Sequence, residues 1–329
     1  MSKTLLSVRN LTVDYVTSSG RVRAVDDVSF DIAPGEVFGL AGESGSGKST
    51  AAMAILRLLQ PPAVITGGNV LFDGQDVLAM DEAALRTFRW GKISLVFQSA
   101  MNALNPVLSV GSQIADVIEA HEGASHAAAL ERAAELLKLV GIESSRINSY
   151  PHQLSGGMRQ RVVIAIALAL RPQMMIMDEP TTALDVVVQK EILMQIAELK
   201  AKLGFSILFI THDLSLMIEF SNRIGILYAG RVAELATSRE LFSAPMHPYT
   251  RGLMSSFPSL HGERRKLSGI PGSPPDMLQP PRGCRFHPRC AERLPRCAEE
   301  EPQLISLRPQ VEAACHLHET SNASVEVTA

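Results

Sequence analysis

The most informative segment of this chain is "GESGSGKST", which runs from Gly42 to Thr50. It follows the apolar run "EVFGLAG" and opens a helical pattern that begins at Lys48. Glycines at this spacing allow backbone N–H groups to curl around phosphate oxygens, and the helix N-terminus adds about half a positive charge. Because the Gly-x4-Gly-Lys-Ser pattern lies between a predicted strand and a predicted helix, it predicts a nucleotide-binding Walker A loop rather than a chance glycine-rich turn.

Two side chains of this loop have separate predicted roles on a bound ATP. Lys48 is expected to reach the β- and γ-phosphates, and the hydroxyl of Ser49 is expected to bind Mg²⁺. The residues predicted to hold the nucleotide here are Ser44, Gly45, Ser46, Gly47, Lys48, Ser49 and Thr50.

Strand and helix patterns alternate over most of the chain. Two strands, at 5–15 and 22–32, precede the loop. Strands separated by helical patterns predict a parallel sheet with crossover helices. The helical run at 111–155 interrupts this alternation and predicts an inserted helical subdomain. The other predicted elements are helices at 48–59, 156–170, 187–203 and 213–220 and strands at 93–98, 174–178, 206–211 and 223–228.

Composition disfavours several classes of protein. With a net charge of −3, the chain lacks the basic character typical of nucleic-acid-binding domains. Its longest apolar run, Val162 to Leu170, is far shorter than the ~20 residues of a membrane span. The N-terminal segment has no apolar core typical of a secretory signal. We therefore expect a cytosolic protein that reaches a membrane only through a partner.

The run "MMIMDEP", Met174 to Pro180, supplies two carboxylates in succession. Asp178 falls at the C-terminal end of a predicted strand, where parallel sheets place their ligands, and it is expected to hold the Mg²⁺ shell. Glu179 follows directly and can act as the general base on the attacking water. Alone, Asp-Glu-Pro would more often be a solvated turn, but its place downstream of a Walker A loop favours the catalytic interpretation.

Two further strand ends carry polar side chains. His212, in "FITHDLS", follows a strand as Asp178 does and is predicted to contact the γ-phosphate and the attacking water. A lone histidine is more often structural, and only this position favours a function. Gln98 ends the strand pattern "ISLVFQ" and is predicted to contact the metal and the water.

The segment "LSGGMRQR", Leu154 to Arg161, predicts a second helix that begins at an anion site. Ser155 is a typical N-cap, and Gly156 and Gly157 allow the backbone to approach an anion closely. The chain therefore has two phosphate-binding helix starts, although one nucleotide needs only the first.

Together these motifs resemble the ATP-binding cassette (ABC) transporter ATPases over residues 5–255. The resemblance implies an α/β P-loop NTPase (RecA-like) fold, with a parallel sheet, an antiparallel β subdomain and an inserted helical subdomain. It also implies that the signature "LSGGM" of one subunit binds the γ-phosphate held by the Walker A loop of a second ATPase subunit. "TALD", which ends at Asp185, matches the D-loop of this family. Tyr15 matches the aromatic residue that stacks on adenine, or else it packs in a strand.

The segments "AVDDVSF", "YPHQLSGGM", "DEPTTALDV", "HPYT" and "GCRFHPRC" narrow the resemblance to the dipeptide/oligopeptide/nickel importer branch. That branch implies an ABC cassette at 1–255, with its helical subdomain at about 99–160, and a small irregular C-terminal metal-binding domain at 256–329. One departure is Ser99-Ala100, where the family often has Asp-Pro. This departure leaves the contacts with the membrane subunits open.

The resemblance also implies the setting in which the chain works. Its partners are a second ABC ATPase (a paralogue or a copy), two transmembrane permease subunits and, indirectly, an extracytoplasmic solute-binding protein, with no nucleic acid. The expected location is the cytoplasmic face of the inner membrane. Import of nickel or oligosaccharides is the alternative to peptides, and a soluble non-transport ABC ATPase is the rival class.

All four cysteines lie in the proline-rich C-terminal segment, at Cys284, Cys290, Cys297 and Cys315. Disulfides are rare in the cytosol, so their clustering favours a shared metal centre. The spacing lacks the Cys-x2-Cys pairs of zinc ribbons and permits a four-cysteine [4Fe–4S] cluster, which the resemblance implies. Structural Zn²⁺ and unmetallated thiols are the alternatives, and the possible additional zinc ligands are His287, His316 and His318.

Overall fold

A computed structural model describes residues 4–97, 103–182, 184–256 and 269–319. The described residues divide into two compact units. The first contains 32–37 and 79–210 together with Thr4 and Leu5, and the second contains 6–31, 38–78 and the residues from Thr211 onward.

The first unit contains three parallel strands in the order β6, β7, β8. Met174 lies opposite Ile93 on one side and Ser206 on the other. Every residue of the central strand is buried, as expected for a parallel strand covered on both faces. The strands are β6 (Ile93–Val96), β7 (Met174–Asp178) and β8 (Ser206–Ile210).

The helical segment of this unit differs from the single helical run predicted at 111–155. It forms two helices, because Gly123 takes a left-handed φ of 65° and Ser125 caps the next helix through its hydroxyl. The helices of the unit are α2 (Glu82–Gly91), α3 (Val110–Glu122), α4 (His126–Leu139), α5 (Gly156–Leu168) and α6 (Val186–Leu203).

The second unit contains two sets of strands. In one, β4 pairs antiparallel with both β1 and β5, and β2 lies beside β1. In the other, β3 pairs parallel with β9, and β10, β12 and β11 continue outward in antiparallel pairs. The strands are β1 (Leu6–Thr17), β2 (Gly20–Ile32), β3 (Val37–Ala41), β4 (Ala63–Phe72), β5 (Gln75–Asp76), β9 (Arg223–Tyr228), β10 (Arg231–Thr237), β11 (Ile305–Arg308) and β12 (Val311–Ala313).

The helix after the glycine loop is shorter than the predicted 48–59. It ends at Ile55, and Arg57 then takes a left-handed φ of 51° that no helix continues through. The described helices of this unit are α1 (Lys48–Ile55), α7 (Leu214–Phe220), α8 (Ser238–Ser243) and α9 (Pro248–Ser255).

The C-terminal extension is described over 269–319 and belongs to the second unit. Most of it has no regular structure, as its proline content predicts. Its hairpin, β11 and β12, was not predicted, because strands this short leave too little alternation to recognise. The hairpin adds to β10, with Ala313 opposite Glu234. Among the described residues, no helix combines the length and apolar character needed to cross a bilayer.

Candidate functional site

The loop from Gly42 to Thr50 has the backbone that a phosphate cradle requires. Gly42 and Gly47 take φ values of 146° and 103°. A Cβ at Gly42 would lie 2.1 Å from the carbonyl oxygen of Leu227, and one at Gly47 would lie 2.4 Å from that of Ala24. Glycine is therefore the residue that both positions accept.

Lys48 is held inside this loop. Its Nζ donates hydrogen bonds to the carbonyl oxygens of Gly42 and Glu43, at 2.8 and 2.9 Å, and to Ser46 Oγ at 3.2 Å. The side chain is buried, so its charge lies among the loop's own oxygens. Such a cation suits a phosphate ligand, and contact with the phosphates stays a prediction.

Tyr15 lies beside the same loop. Its hydroxyl is 3.3 Å from Thr50 Oγ1, and its side chain is half-buried. This contact places the ring of Tyr15 next to the first turn of α1, so it is not simply a core aromatic. Stacking on adenine stays a prediction. Ser44, Gly45 and Ser49 are exposed.

The two predicted carboxylates lie in the first unit. Asp178 ends β7 and is buried. Glu179 has a left-handed φ of 47°, and its N–H donates to the carbonyl oxygen of Ile210 at 2.8 Å. Its Oε2 accepts a hydrogen bond from Thr182 Oγ1 at 3.0 Å. A non-glycine residue with positive φ is uncommon, and the catalytic role of Glu179 stays a prediction.

The signature segment begins α5 as the sequence predicted. Ser155 is its N-cap, and the serine hydroxyl accepts a hydrogen bond from the N–H of Met158 at 3.3 Å. Gly157 lies close to the start of α6, because a Cβ there would lie 2.9 Å from Val188 Cγ1. Asp185 caps α6 by accepting from the N–H of Val188 at 3.0 Å. The signature and the D-loop therefore meet on one surface of the first unit.

This surface is open to solvent. Ser155 and Asp185 are exposed, and Gly156 is half-exposed. Val186 and Val187 are 78% and 68% exposed. Adjacent exposed valines beside an anion-type helix start favour a face that a partner covers.

The other two predicted catalytic residues are His212 and Gln98. His212 is exposed, in the bend between β8 and α7, and Asp213 caps that helix. Gln98 lies outside the described residues, as do Ser99 and Ala100. The roles of His212 and Gln98 stay predictions.

The four cysteines of the C-terminal extension are free thiols. Cys284 donates its N–H to the carbonyl oxygen of Cys297 at 2.9 Å, and Cys297 and Cys315 are buried. Burial, with smaller contributions from the charges of the other thiols, raises the pKa of both Cys284 and Cys315 to about 11. Burial therefore favours the protonated forms of Cys284 and Cys315, whereas a bound metal cation would favour their thiolates.

The described residues contain no group of three or more His, Cys, Asp or Glu side chains placed to hold a single metal ion. The histidines named as possible zinc ligands have other partners. His316 uses both ring nitrogens, on Glu319 Oε2 and on the carbonyl oxygen of Glu300, both at 2.9 Å. His287 Nδ1 lies 2.9 Å from the carbonyl oxygen of Cys284. His318 Nε2 lies 3.1 Å from a backbone oxygen as well.

One contact of the phosphate loop was not predicted. The carboxylate of Glu43 pairs with the guanidinium of Arg289, and the N–H of Glu43 donates to the hydroxyl of Tyr249 at 2.9 Å. A separation of 246 residues hides the first contact from any pattern in the sequence. The segments "HPYT" and "HPRC" contain these two partners, but their spacing alone does not reveal what they contact.

Comparison with known proteins agrees with these features. Residues 25–182 match the sequence profile of the ABC transporter family, and residues 233–297 match the family described as "Oligopeptide/dipeptide transporter, C-terminal region". The dipeptide transport ATP-binding protein DppD of Bacillus subtilis is 44% identical over 293 residues, which are 88% of each chain. The oligopeptide transport ATP-binding protein OppD of the same organism is 45% identical over 286 residues, 86% of this chain and 80% of OppD.

A solved structure shares the fold. The ATP-binding cassette MJ0796, as a dimer in a post-hydrolysis state bound to ADP and phosphate, is 33% identical and gives a TM-score of 0.63 over 71% of this chain and 99% of its own. The chain belongs to the ABC transporter ATPases, within the branch that carries the oligopeptide/dipeptide transporter C-terminal region. It is therefore an ATPase with a P-loop fold.

Proposed function

We propose that this chain is the ATP-hydrolysing subunit of an ABC importer that takes up dipeptides or oligopeptides across the cytoplasmic membrane. The observation that carries the proposal is the presence, in one chain, of a formed phosphate loop and an exposed signature helix start. The similarity to DppD and OppD over most of their length supports peptides as the solute. Nickel or oligosaccharides remain the competing solutes, and a soluble ABC ATPase is the competing class.

In the proposed reaction, the backbone of residues 44–50 and the side chain of Lys48 bind the triphosphate. Ser49 and Asp178 would hold Mg²⁺, which when bound would supply positive charge to the phosphate oxygens. Glu179 takes a proton from the attacking water, while His212 and Gln98 orient that water. Tyr15 stacks on the adenine ring.

A second ATPase subunit, either a copy or a paralogue, covers the surface formed by Ser155, Gly156, Gly157 and Asp185. The N–H groups at the start of α5 then face the γ-phosphate of the partner's nucleotide. Exposure of Val186 and Val187 on the same surface supports this role. Closure of the pair on two ATP molecules drives the permease subunits, and hydrolysis reopens it.

The permease subunits dock on the first unit, at an apolar cavity of about 350 Å³. Phe97 and Leu108 line this cavity and are 42% and 44% exposed. The apolar lining of this hollow, with Phe97 and Leu108 exposed at it, suits an apolar helix of a permease subunit. The proposed location is therefore the cytoplasmic face of the inner membrane, and a solute-binding protein would act on its far side.

Purification from a detergent extract tests the class of protein. The wild-type chain should bring down polytopic membrane proteins, and L108R should lose them because a cation enters the apolar cavity. V64R is the matched control, since Val64 is a similarly exposed apolar residue in the other unit. Recovery of ribosomal or DNA-repair proteins in place of membrane proteins would favour the soluble class.

Uptake by the reconstituted complex then tests the solute. ATP-dependent accumulation of a labelled dipeptide or a short peptide is expected. Labelled nickel and a labelled oligosaccharide should not accumulate. Accumulation of nickel or the oligosaccharide, without the peptides, would reject the peptide assignment and leave the ATPase role intact.

We further propose that Cys284, Cys290, Cys297 and Cys315 bind a [4Fe–4S] cluster. The donor set fits, because four free thiols occupy one short segment, in which the N–H of Cys284 donates to the carbonyl oxygen of Cys297. The ligands of a cubane bind four different iron atoms, so they lie farther apart than the ligands of a single ion. When bound, the cluster would stabilise a segment with few regular elements.

Anaerobic purification tests the metal centre independently of ATP turnover. A brown protein with about four iron and four sulfide per chain is expected. A colourless protein with one zinc per chain would reject the cluster in favour of zinc. A protein that contains neither iron nor zinc would reject both the cluster and structural zinc.

A further inference from the structure

We propose that Arg289, in the C-terminal extension, is a positioning residue for the phosphate loop, and that it acts by neutralising and holding Glu43. The inference rests on ATP binding at this loop, which is part of the proposed function. It adds a role for the extension in nucleotide affinity.

Arg289 holds the carboxylate of Glu43 with both ends of its guanidinium. Nη1 donates to Oε2 at 2.7 Å and Nη2 donates to Oε1 at 3.0 Å. This two-pronged geometry is the strongest pairing available to an arginine and a carboxylate. The side chain of Arg289 is 6% exposed and that of Glu43 is 25% exposed, so the pair is partly shielded from solvent and salt.

Arg289 is itself fixed in place. Its Nε donates to the carbonyl oxygen of Pro271 at 2.9 Å. Its guanidinium carbon lies 5.8 Å from the ring centroid of Tyr228 and 6.0 Å from that of Phe286, within the range of cation–π attraction. These contacts therefore keep the positive charge of Arg289 next to the carboxylate of Glu43.

A second contact holds the backbone of Glu43. Its N–H donates to the hydroxyl of Tyr249, which is fully buried. The ring of Tyr249 packs on those of Tyr228 and Phe286, with centroids 4.6 and 5.3 Å away. The aromatic rings that support Arg289 thus also support the tyrosine that binds the loop.

The chemical need for Arg289 comes from the place of Glu43. The carbonyl oxygen of Glu43 accepts a hydrogen bond from Lys48 Nζ, so this acidic residue belongs to the anion-binding loop itself. An uncompensated carboxylate there would repel the triphosphate and compete for the lysine. Arg289 compensates the charge of that carboxylate through their ion pair.

Binding of a fluorescent ATP analogue to the purified full-length chain tests this role. R289M should raise the Kd about tenfold, because one unit charge is left uncompensated near the phosphates. In the assembled transporter, the same variant should raise the KM for ATP by about as much and change kcat by less than about twofold. R308M is the matched control, because Arg308 forms an exposed 2.8 Å ion pair with Glu240 outside the phosphate loop, and its Kd should not change.

The double variant E43Q/R289M separates charge neutralisation from general stability. Removal of the carboxylate should remove the need for the arginine, so the double variant should bind ATP within about threefold of E43Q alone. If R289M binds ATP as the wild type does, or if E43Q/R289M is as weak as R289M, the proposal is overturned. Should R289M fail to fold, R289K tests the holding of Glu43 rather than the neutralisation of its charge, since lysine keeps the charge but loses the two-pronged geometry. R289K should weaken binding in the wild-type background and have no effect in the E43Q background.

Binding of the ATP analogue to the wild-type chain separates a failure of the Arg289 proposal from a failure of the proposed function. A wild-type chain that does not bind the ATP analogue at all would reject the nucleotide site itself. Normal wild-type binding with no effect of R289M would reject only the role of Arg289.

Discussion

Two helices of this protein, α1 and α5, begin at sequences that are typical of phosphate binding. They differ in whether a side chain caps the backbone N–H groups of the first turn. The N-cap of α1 is Gly47, which offers no side chain, and within the described residues no side chain caps this helix. The N-cap of α5 is Ser155, whose hydroxyl accepts the N–H of Met158. The first turn of α1 therefore presents more of its N–H groups to a ligand.

The surroundings of the two helix starts also differ. The loop before α1 is held by Lys48 from within and by Tyr249 and Arg289 from distant parts of the second unit. Ser155 and the valines near it are exposed. The first helix start is therefore held by contacts within the chain, whereas the second is exposed, in line with the proposal that another subunit completes it.

The largest expected effect comes from E179Q, which leaves both helix starts intact. Loss of the general base should lower ATP turnover of the assembled complex by at least about a hundredfold, while ATP binding stays near the wild-type level. Turnover and nucleotide binding are measured on the same preparation, with E191Q as the control because Glu191 is an exposed residue of α6. Turnover within about threefold of the wild type would mean that another group activates the water.

A smaller effect is expected from S155R, which alters only the exposed helix start. Its bulk and charge should block the approach of the second subunit and lower turnover by about tenfold to a hundredfold. ATP binding to the isolated chain should be unaffected, because the loop before α1 is untouched. In the E179Q background, ATP-dependent dimerisation should disappear on light scattering.

S155A separates obstruction from loss of the helix cap. It removes the cap, which is worth about 1 kcal/mol, but adds no bulk. It should therefore dimerise better than S155R. If S155R weakens ATP binding to the isolated chain by tenfold, the second helix start is part of the chain's own site, and the comparison above fails.

Features that depend on residues close together in the sequence could be predicted, whereas contacts between distant segments could not. The buried run at Met174 and the cap at Ser155 depend on residues within a few positions, so both predictions are confirmed. The contact between Glu43 and Arg289 depends on two segments far apart in the chain, and no local pattern indicates it. The end of α1 was misplaced because the left-handed conformation of Arg57 has no signature in its side chain.

The smallest effect at neutral pH is expected from H247N, which tests how firmly His247 holds Tyr249, the residue that contacts the loop before α1. His247 is buried at the start of α9, and its Nδ1 accepts the N–H of Tyr249. Burial, aided by the charges of Arg251 and His318, lowers the pKa of His247 to about 3. The buried carboxylate of Glu234 accepts the backbone N–H of His247 at 2.9 Å, but this bond engages the main chain and not the ring.

Because the pKa of His247 is lowered by folding, the unfolded chain binds its proton first as the pH falls below about 6.5. The contribution of His247 to stability should therefore be complete above that pH and fall by up to about 1.4 kcal/mol per pH unit toward pH 3. Asparagine keeps an N-cap acceptor but does not titrate, so H247N should lose about 2 kcal/mol less than the wild type between pH 7.5 and pH 5 in urea unfolding. Parallel pH profiles for the two proteins would show that the ring of His247 is accessible to protons in the folded state, and that the support beneath Tyr249 is looser than its burial indicates.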